Sequence, residues 1–412
     1  MTVPRSLGAP SASLPPPTMP GTPTAVLYVQ ERFPVLSETF VISEIEQLRR
    51  WGVRVSIATS RFPVTEWAPD RGLDHASGVP VTGGAVAHLY WLRRAPRHYL
   101  AYLAVLLRVP VKDKPFVLLA PGIARVAAGR GVRHVHTHFA FRAASVARGV
   151  AALLGRPRTV TTHANDIFVR TGQLRSRLAD ARVLTISGYN QAFLGRLGIP
   201  SRVNHCGVSG AVLAWADESP GDRSVDLLYV GRMVAKKGPL TFLETVQALR
   251  ARGVEELRVR MVGDGPLRAR AEGYAARHSI PVTFLGALTP EETLAEIRRS
   301  KVLCLPCQRA EDGDLDGIPV VLMEAMSVGT AVVSTTVSGI PELVGSDTGW
   351  LVDVASTDLA GDLADAVLQA LDPGLSADRA GHALDRVLAD FTLEAQARGV
   401  LDVAREAAET HP

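Results

Sequence analysis

The sequence predicts an α/β protein made of two parallel-sheet domains, and three observations carry this. The chain has 412 residues, too many for one ordinary core and suited to two domains. Short apolar or β-branched runs recur along it, several of them followed by a glycine-containing loop and a helical pattern. The best-marked stretch, residues 302–334, reads strand, loop, helix, strand, the unit of an open parallel sheet.

Composition narrows the function classes. The formal net charge is +4, which suits anionic substrates or a membrane surface and is not the signature of a nucleic-acid binder. No run of about 18 apolar residues indicates a transmembrane helix. Residues 1–23 are rich in Pro, Ser and Gly without an apolar core behind a charged start, so they read as a disordered tail and not as a secretory signal. The three cysteines, Cys206, Cys304 and Cys307, suit a reducing, cytoplasmic setting. Cys304 and Cys307 have the spacing of a redox or zinc half-site but no second pair, and read as incidental small residues.

The first half opens on a buried strand, Ala25 to Val29. Ser37 then suits an N-cap and Glu38 a first turn, ahead of Val41, Ile42, Ile45 and Leu48 at helical spacing. Val53 to Ala58 reads as the second strand and residues 61–84 as loop. Residues 88–114 mix aromatics (Tyr90, Trp91, Tyr99, Tyr102) with cations (Arg93, Arg94, Arg97, Arg108, Lys112, Lys114). Such a stretch lies on an anionic membrane or packs as core-facing helices with a solvated face. His134, His136 and His138 alternate on one strand. Spaced roughly 6.5–7 Å apart along it, they are too spread for one metal ion. A β-branched strand ends at His163, and Asp166 follows three residues later. Val183 to Ser187 is a further strand, and residues 217–223 read as a linker.

The second half starts with Leu227 to Arg232 and then Lys236-Lys237-Gly238. Arg232 and Lys237, across a turn, both reach one diphosphate, Arg with a planar fork and Lys as a point charge. Val259 to Val262 leads into Gly263-Asp264-Gly265, weak evidence of nucleotide binding when taken alone. The strand Val302 to Leu305 delivers a polar, acidic loop, Glu311 to Gly317, followed by Ile318 and by Pro319 in the first turn of a helix Val320 to Met326, with Gly329 at its end. A loop entering a helix there collects anions. This one also carries Asp316, and Glu324 follows with seven residues between them. Phosphate for the helix end and hydroxyls for the carboxylates together describe a nucleotide-sugar. Residues 391–408 are helical by pattern.

These motifs resemble glycosyltransferase family 4, the retaining enzymes of the GT-B fold, in which two Rossmann-like domains face each other across a cleft. The match is strong over 227–342, good over 133–190 and weak over 60–130. The Phe-Pro-x-Leu-Ser-Glu-Thr-Phe run at 33–40 is similar to the branch that builds bacterial exopolysaccharides, and that branch accommodates Asp316 where the family usually has Glu. The resemblance implies that Glu324 holds ribose hydroxyls, Asp316 meets the donor hexose, and Arg232 and Lys237 hold the diphosphate. It adds Gly263, Gly265, Gly317, Ile318 and Pro319 to the donor site. It places His163 near the reacting carbon and Ser37, Glu38 and Asp166 on the acceptor side. No metal or cofactor is implied. The implied layout is a tail at 1–23, an acceptor domain at 24–215, a nucleotide-sugar domain at 224–390, and a helix at 391–412 crossing back. The implied activity is transfer of a hexose or N-acetylhexosamine, N-acetylglucosamine first, from a UDP-sugar to a saccharide-containing acceptor. That acceptor is an exopolysaccharide intermediate or an aminosugar natural product. The setting implied is cytoplasmic, with peripheral contact at the inner membrane face through 88–114. The competing readings are a non-catalytic nucleotide-sugar-binding partner protein and a GT-B epimerase or phosphorylase.

Overall fold

The computed structural model describes residues 24–35, 38–60, 84–169, 171–215 and 223–409. The expectations for the tail at 1–23, for Ser37, for the loop at 61–83 and for most of the 217–223 linker lie outside these residues.

The first sheet has six parallel strands: β1 (Ala25–Gln30), β2 (Arg54–Thr59), β3 (His134–His138), β4 (Arg158–Thr162), β5 (Arg182–Thr185) and β6 (Arg202–Val203), in the order β2-β1-β3-β4-β5-β6. The second also has six: β7 (Val225–Val230), β8 (Val259–Val262), β9 (Val282–Gly286), β10 (Ser300–Leu305), β11 (Ala331–Thr335) and β12 (Trp350–Val352), in the order β12-β11-β10-β7-β8-β9. Every residue of β1 and β7 is buried, as a parallel sheet covered on both faces requires. In each sheet the strand order reverses once, between β1 and β3 and between β7 and β10. Loops leaving neighbouring strands at such a point diverge and open a crevice at their carboxyl ends.

Period-2 alternation sorts the first domain's core. Leu27 and Val29 of β1 face α2 (Gly84–Arg94), α3 (Pro96–Arg108), α4 (Lys114–Val117), α5 (Ala120–Gly129) and α6 (Arg142–Leu154). Val26 and Tyr28 face α1 (Thr39–Arg50) and the last helix, Leu393–Glu409, whose Ala397 and Leu401 join that core. The chain returns from the second domain beside the point where it left. The Val208 N–H donates to the Phe391 carbonyl, and the Leu393 N–H donates to the Val208 carbonyl, each at 2.9 Å. A Cβ on Gly207 would sit 2.1 Å from the Thr392 carbonyl carbon, so only glycine fits this crossing.

Two helix starts differ from expectation. α1 begins at Thr39 with Glu38 as its N-cap residue and no side-chain capping bond. Pro319 is the N-cap of the helix Val320–Ser327, not part of its first turn; its φ of −65° suits a helix, but its ψ of 124° is extended, so the helix starts one residue later than the sequence rule suggests. The 88–114 stretch is two helices, broken where Pro96 opens α3, plus a turn Val111–Asp113. Among the described residues no helix is long and apolar enough to cross a membrane.

Candidate functional site

The two crevices face each other and form one cleft of about 1200 Å³. Glu38, Phe40, Phe139, Phe141, His163 and Asn165 line it from the first domain. Arg232, Lys236, Lys237, Arg270, the acids from Glu311 to Asp316, and Gly317 to Val320 line it from the second. Gly317 lies so close to the first domain that a Cβ there would meet Ile186 at 2.4 Å.

On the second-domain wall, the turn Ala235–Lys237 ends at Gly238, in the left-handed region at φ +63°, where a Cβ would strike the Pro306 carbonyl at 2.1 Å. That close approach sets both lysines over the loop after β10. Lys237 Nζ lies 2.7 Å from Asp316 Oδ2, and Lys236 Nζ lies 3.0 Å from Asp314 and 3.7 Å from Asp316 Oδ1. Burial works to raise the Asp316 carboxyl, but the two ammonium groups outweigh it and hold it below the usual range. Burial likewise works against the Lys237 charge, and Asp316 more than restores it. The Cys307 thiol donates to Asp316 Oδ2 at 3.6 Å. Burial and that carboxylate push the thiol up, so it stays protonated. Arg232 is exposed and has no side-chain partner among the described residues. The unit is a set of cations whose partners are carboxylates, and a phosphate entering the cleft can take those carboxylates' place.

On the first-domain wall the polar groups are sealed. Glu44 of α1 is fully buried and accepts from Tyr28 Oη at 2.6 Å, Gln396 Nε2 at 2.6 Å and His138 Nε2 at 3.1 Å. His138 Nδ1 lies 3.1 Å from His163 Nε2. Gln396 takes the Gly207 N–H on its Oε1, so its Nε2 is the end facing Glu44. With three donors on it, Glu44 is an acceptor. His138 Nδ1 and His163 Nε2 then share one hydrogen bond, with the His138 ring oriented by Glu44. Burial and the neighbouring His138 hold His163 neutral. Its ring packs against Phe40 and Phe139, centroids 4.7 and 4.3 Å away. Phe139 itself adopts φ +65°, a strained setting for an aromatic residue at the rim of the cleft.

Several expected site residues lie elsewhere. Asp166 is buried, and its two oxygens accept the N–H groups of His163 at 2.8 Å and Ala140 at 2.7 Å. Burial raises it to about 7 against those bonds. It caps the helix Ala164–Phe168 and does not line the cleft, because both oxygens are consumed by backbone. Gly263 and Gly265 also lie off the cleft surface, against the backbone of Gly231 and Met233, where a Cβ would come within 2.0 and 2.7 Å. Glu324 stands one turn past Val320, half-buried, outside the lining and without a hydrogen bond or ion pair among the described residues. Burial pushes it to about 7. Glu38 lines the cleft and is raised to about 7, again chiefly by burial.

The strand spacing of the histidines understated their convergence. One oxygen or nitrogen from each of Glu44, His136 and His138 lies within 4.8 Å of the others. Their hydrogen-bonding groups are engaged within the protein, His136 Nδ1 by Thr159 Oγ1 at 2.6 Å. Sequence reasoning missed Lys236, Glu44 and two contacts between the domains. Glu44 had a signal, an acid on the apolar stripe of Val41, Ile45 and Leu48. Between the domains, Asn165 Nδ2 donates to Asp314 at 3.2 Å. Glu342 accepts the N–H groups of Gly188 and Tyr189 at 2.9 and 3.0 Å and meets His205 Nε2 at 3.2 Å.

Comparison with known proteins agrees with this geometry. Residues 224–373 match the family described as Glycosyl transferases group 1. Over 131 residues it is 40% identical to the putative colanic acid biosynthesis glycosyltransferase WcaL of Escherichia coli K12, covering 31% of this chain and 32% of that protein. Over 128 residues it is 37% identical to the amylovoran biosynthesis glycosyltransferase AmsK of Erwinia amylovora, covering 30% and 31%. The match thus spans about a third of the length of these relatives. Among solved structures, a glycosyltransferase from Rickettsia africae superposes with TM-score 0.65 at 15% identity, over 94% of this chain and 99% of that one. Anabaena Alr3699/HepE, in complex with UDP and glucose, superposes with TM-score 0.64 at 17% identity, over 93% and 98%. The fold is GT-B, two Rossmann-like domains across a cleft.

Proposed function

We propose that the protein is a retaining glycosyltransferase of family 4. In this reading it moves a hexose or N-acetylhexosamine, N-acetylglucosamine first, from a UDP-sugar to a hydroxyl of a saccharide-containing acceptor. The observation that carries the reading is the cluster Arg232, Lys236, Lys237 and Asp316 in the second-domain wall, opposite His163. The donor domain is 224–390 and the acceptor domain 24–215. The donor's diphosphate engages Lys237 and Arg232, which frees Asp316 for a hexose hydroxyl, while Glu324 takes ribose hydroxyls. The acceptor oxygen attacks the anomeric carbon on the face the phosphate leaves. The C–O bond to phosphate breaks as the new glycosidic bond forms, and the acceptor's proton passes to the departing phosphate oxygen. Side-chain cations compensate the diphosphate charge, and the reaction needs no resident metal. Fixed charges of this kind account for about a hundredfold in rate each.

The names of the relatives support an exopolysaccharide intermediate as acceptor, met in the cytoplasm with peripheral contact at the inner membrane face through 88–114. The acids Glu311 and Asp312 on the cleft wall support a second acceptor class, a cationic aminosugar natural product. The test is nucleotide release from a panel of UDP-, GDP- and dTDP-sugars without acceptor. Slow release from one UDP-sugar, abolished in Arg232→Ala, is expected. Silence on every donor together with no thermal shift would favour a non-catalytic partner. Release of an altered sugar would favour an epimerase or phosphorylase.

A further inference from the structure

Seven of the twelve large apolar side chains exposed among the described residues fall between residues 86 and 118. They sit on the outer side of the α2–α3 pair and on the turn and α4 that follow. The inner side of that pair is already used, with Trp91, Tyr102 and Val105 packed into the core beside α5 and α6. Trp91 Nε1 is also tied to the Pro121 carbonyl at 3.0 Å. The outer apolar side chains therefore have no core left to join. Leu100 and Leu107, 63% and 78% exposed, lie two turns apart on one stripe, and Val111 continues it at 80%.

The charge on this surface has one sign. Arg93, Arg94, Arg97, Arg108 and Lys112 are exposed around the apolar stripe. Asp113 is the one acid from 84 to 118, and it is buried, held by Arg177 at 2.9 Å and by Ser145 at 2.7 Å. An exposed apolar patch rimmed by cations, with no acid at its surface, complements an interface that is apolar inside and anionic at its edge. Long cationic side chains at the helix ends reach such an edge while leucines enter the acyl layer.

We propose that the outer face of α2 and α3, continued through Val111 and α4, docks on an anionic phospholipid bilayer. The proposal rests on the peripheral placement given above and supplies its face and lipid chemistry. The face also borders the cleft: the Arg142 guanidinium covers the Phe116 ring of α4 at 5.0 Å, and the neighbouring Phe141 lines the cleft. A lipid-linked acceptor held in that bilayer would present its sugar at the cleft mouth.

The test is flotation of the full-length protein with vesicles of phosphatidylcholine alone and of phosphatidylcholine mixed with phosphatidylglycerol. Binding to the anionic vesicles, at least about tenfold stronger than to the neutral ones and weakened by salt, is expected. Leu100→Glu with Leu107→Glu should abolish it. Arg97→Glu with Arg108→Glu should lower it about tenfold or more. All four positions are exposed, so the melting temperature and donor hydrolysis should stay at wild-type values, which separates loss of docking from misfolding or failure of the transferase reading. No flotation on either vesicle, equal flotation on both, or variants that float like the wild type would overturn the proposal. A concentration-dependent dimer abolished by Leu107→Glu, without flotation, would reassign the face to a second copy of the chain.

Discussion

The two walls of the cleft manage charge in opposite ways. In the second domain Lys236, Lys237, Asp314 and Asp316 pair at the surface of the cleft, each side chain 14–19% exposed. In the first domain Glu44, His136 and His138 are at zero exposure and are satisfied by one another and by Tyr28, Thr159 and Gln396. A partly open ion pair can trade one partner for a ligand at modest cost, since water and the ligand share the desolvation. A sealed network cannot, because every partner removed leaves a buried group unpaired. One wall is built to exchange partners and the other to hold a single arrangement.

Substitutions can break this contrast. The largest effect is expected from Lys237→Ala, which removes the cation nearest Asp316. Donor hydrolysis should fall about a hundredfold or more, with little loss of fold stability. An equal drop in urea midpoint would show that the pair is structural. Glu44→Gln should do the reverse at first. An amide cannot accept from Tyr28, His138 and Gln396 together without aiming its own NH₂ at one of them, so stability should drop by about 1–3 kcal/mol in urea unfolding. Activity should follow because the ring orientation of His163, set through His138, is no longer fixed.

Glu324→Gln sharpens the comparison, since Glu324 belongs to the exchanging wall's domain yet has no hydrogen-bond or ion-pair partner among the described residues. Its folded-state value near 7 exceeds the ordinary value of 4.5. The folded state thus holds a proton that the unfolded state has lost, and stability falls as pH rises between those values. The glutamine variant should melt higher than wild type at pH 8 and nearly the same at pH 4. Its thermal shift with UDP should shrink, since the proposed ribose acceptor is gone. The smallest effect is expected from Glu342→Ala, which uncaps the helix Gly188–Arg196 and frees His205. Faster amide exchange at Gly188 and Tyr189, with global stability changed by about 1 kcal/mol, would register it.

Both sheets were legible because parallel strands buried on two faces read as short unbroken apolar runs, such as Leu227 to Val230. Arg232 and Lys237 stood out because Gly238 punctuates the loop that carries them, and Asp316 because Pro319 closes its loop. Asp166 was ambiguous in the sequence because an acid three residues after an N-cap has the spacing of a capping box as well as that of a cleft residue. Gly263 and Gly265 were equally ambiguous because the same residue type serves close backbone packing and phosphate approach. The histidine cluster was invisible to strand spacing alone: Cα positions fix the face, but ring rotation brings His136 and His138 centroids to 4.9 Å. Glu44 and Gln396, which complete it, lie 352 positions apart.

The crossing at Val208 and Thr392 sets the mechanics of the whole chain. Both passages between the domains run side by side there, joined as a single parallel bridge. Two straps on one line leave a hinge free to turn about that line and stiff against sliding. Opening the cleft is then a rotation, and its travel grows with distance from the axis. The last helix, clamped to α1 beyond the second strap, anchors the pivot to the first domain, so the second domain is the leaf that swings.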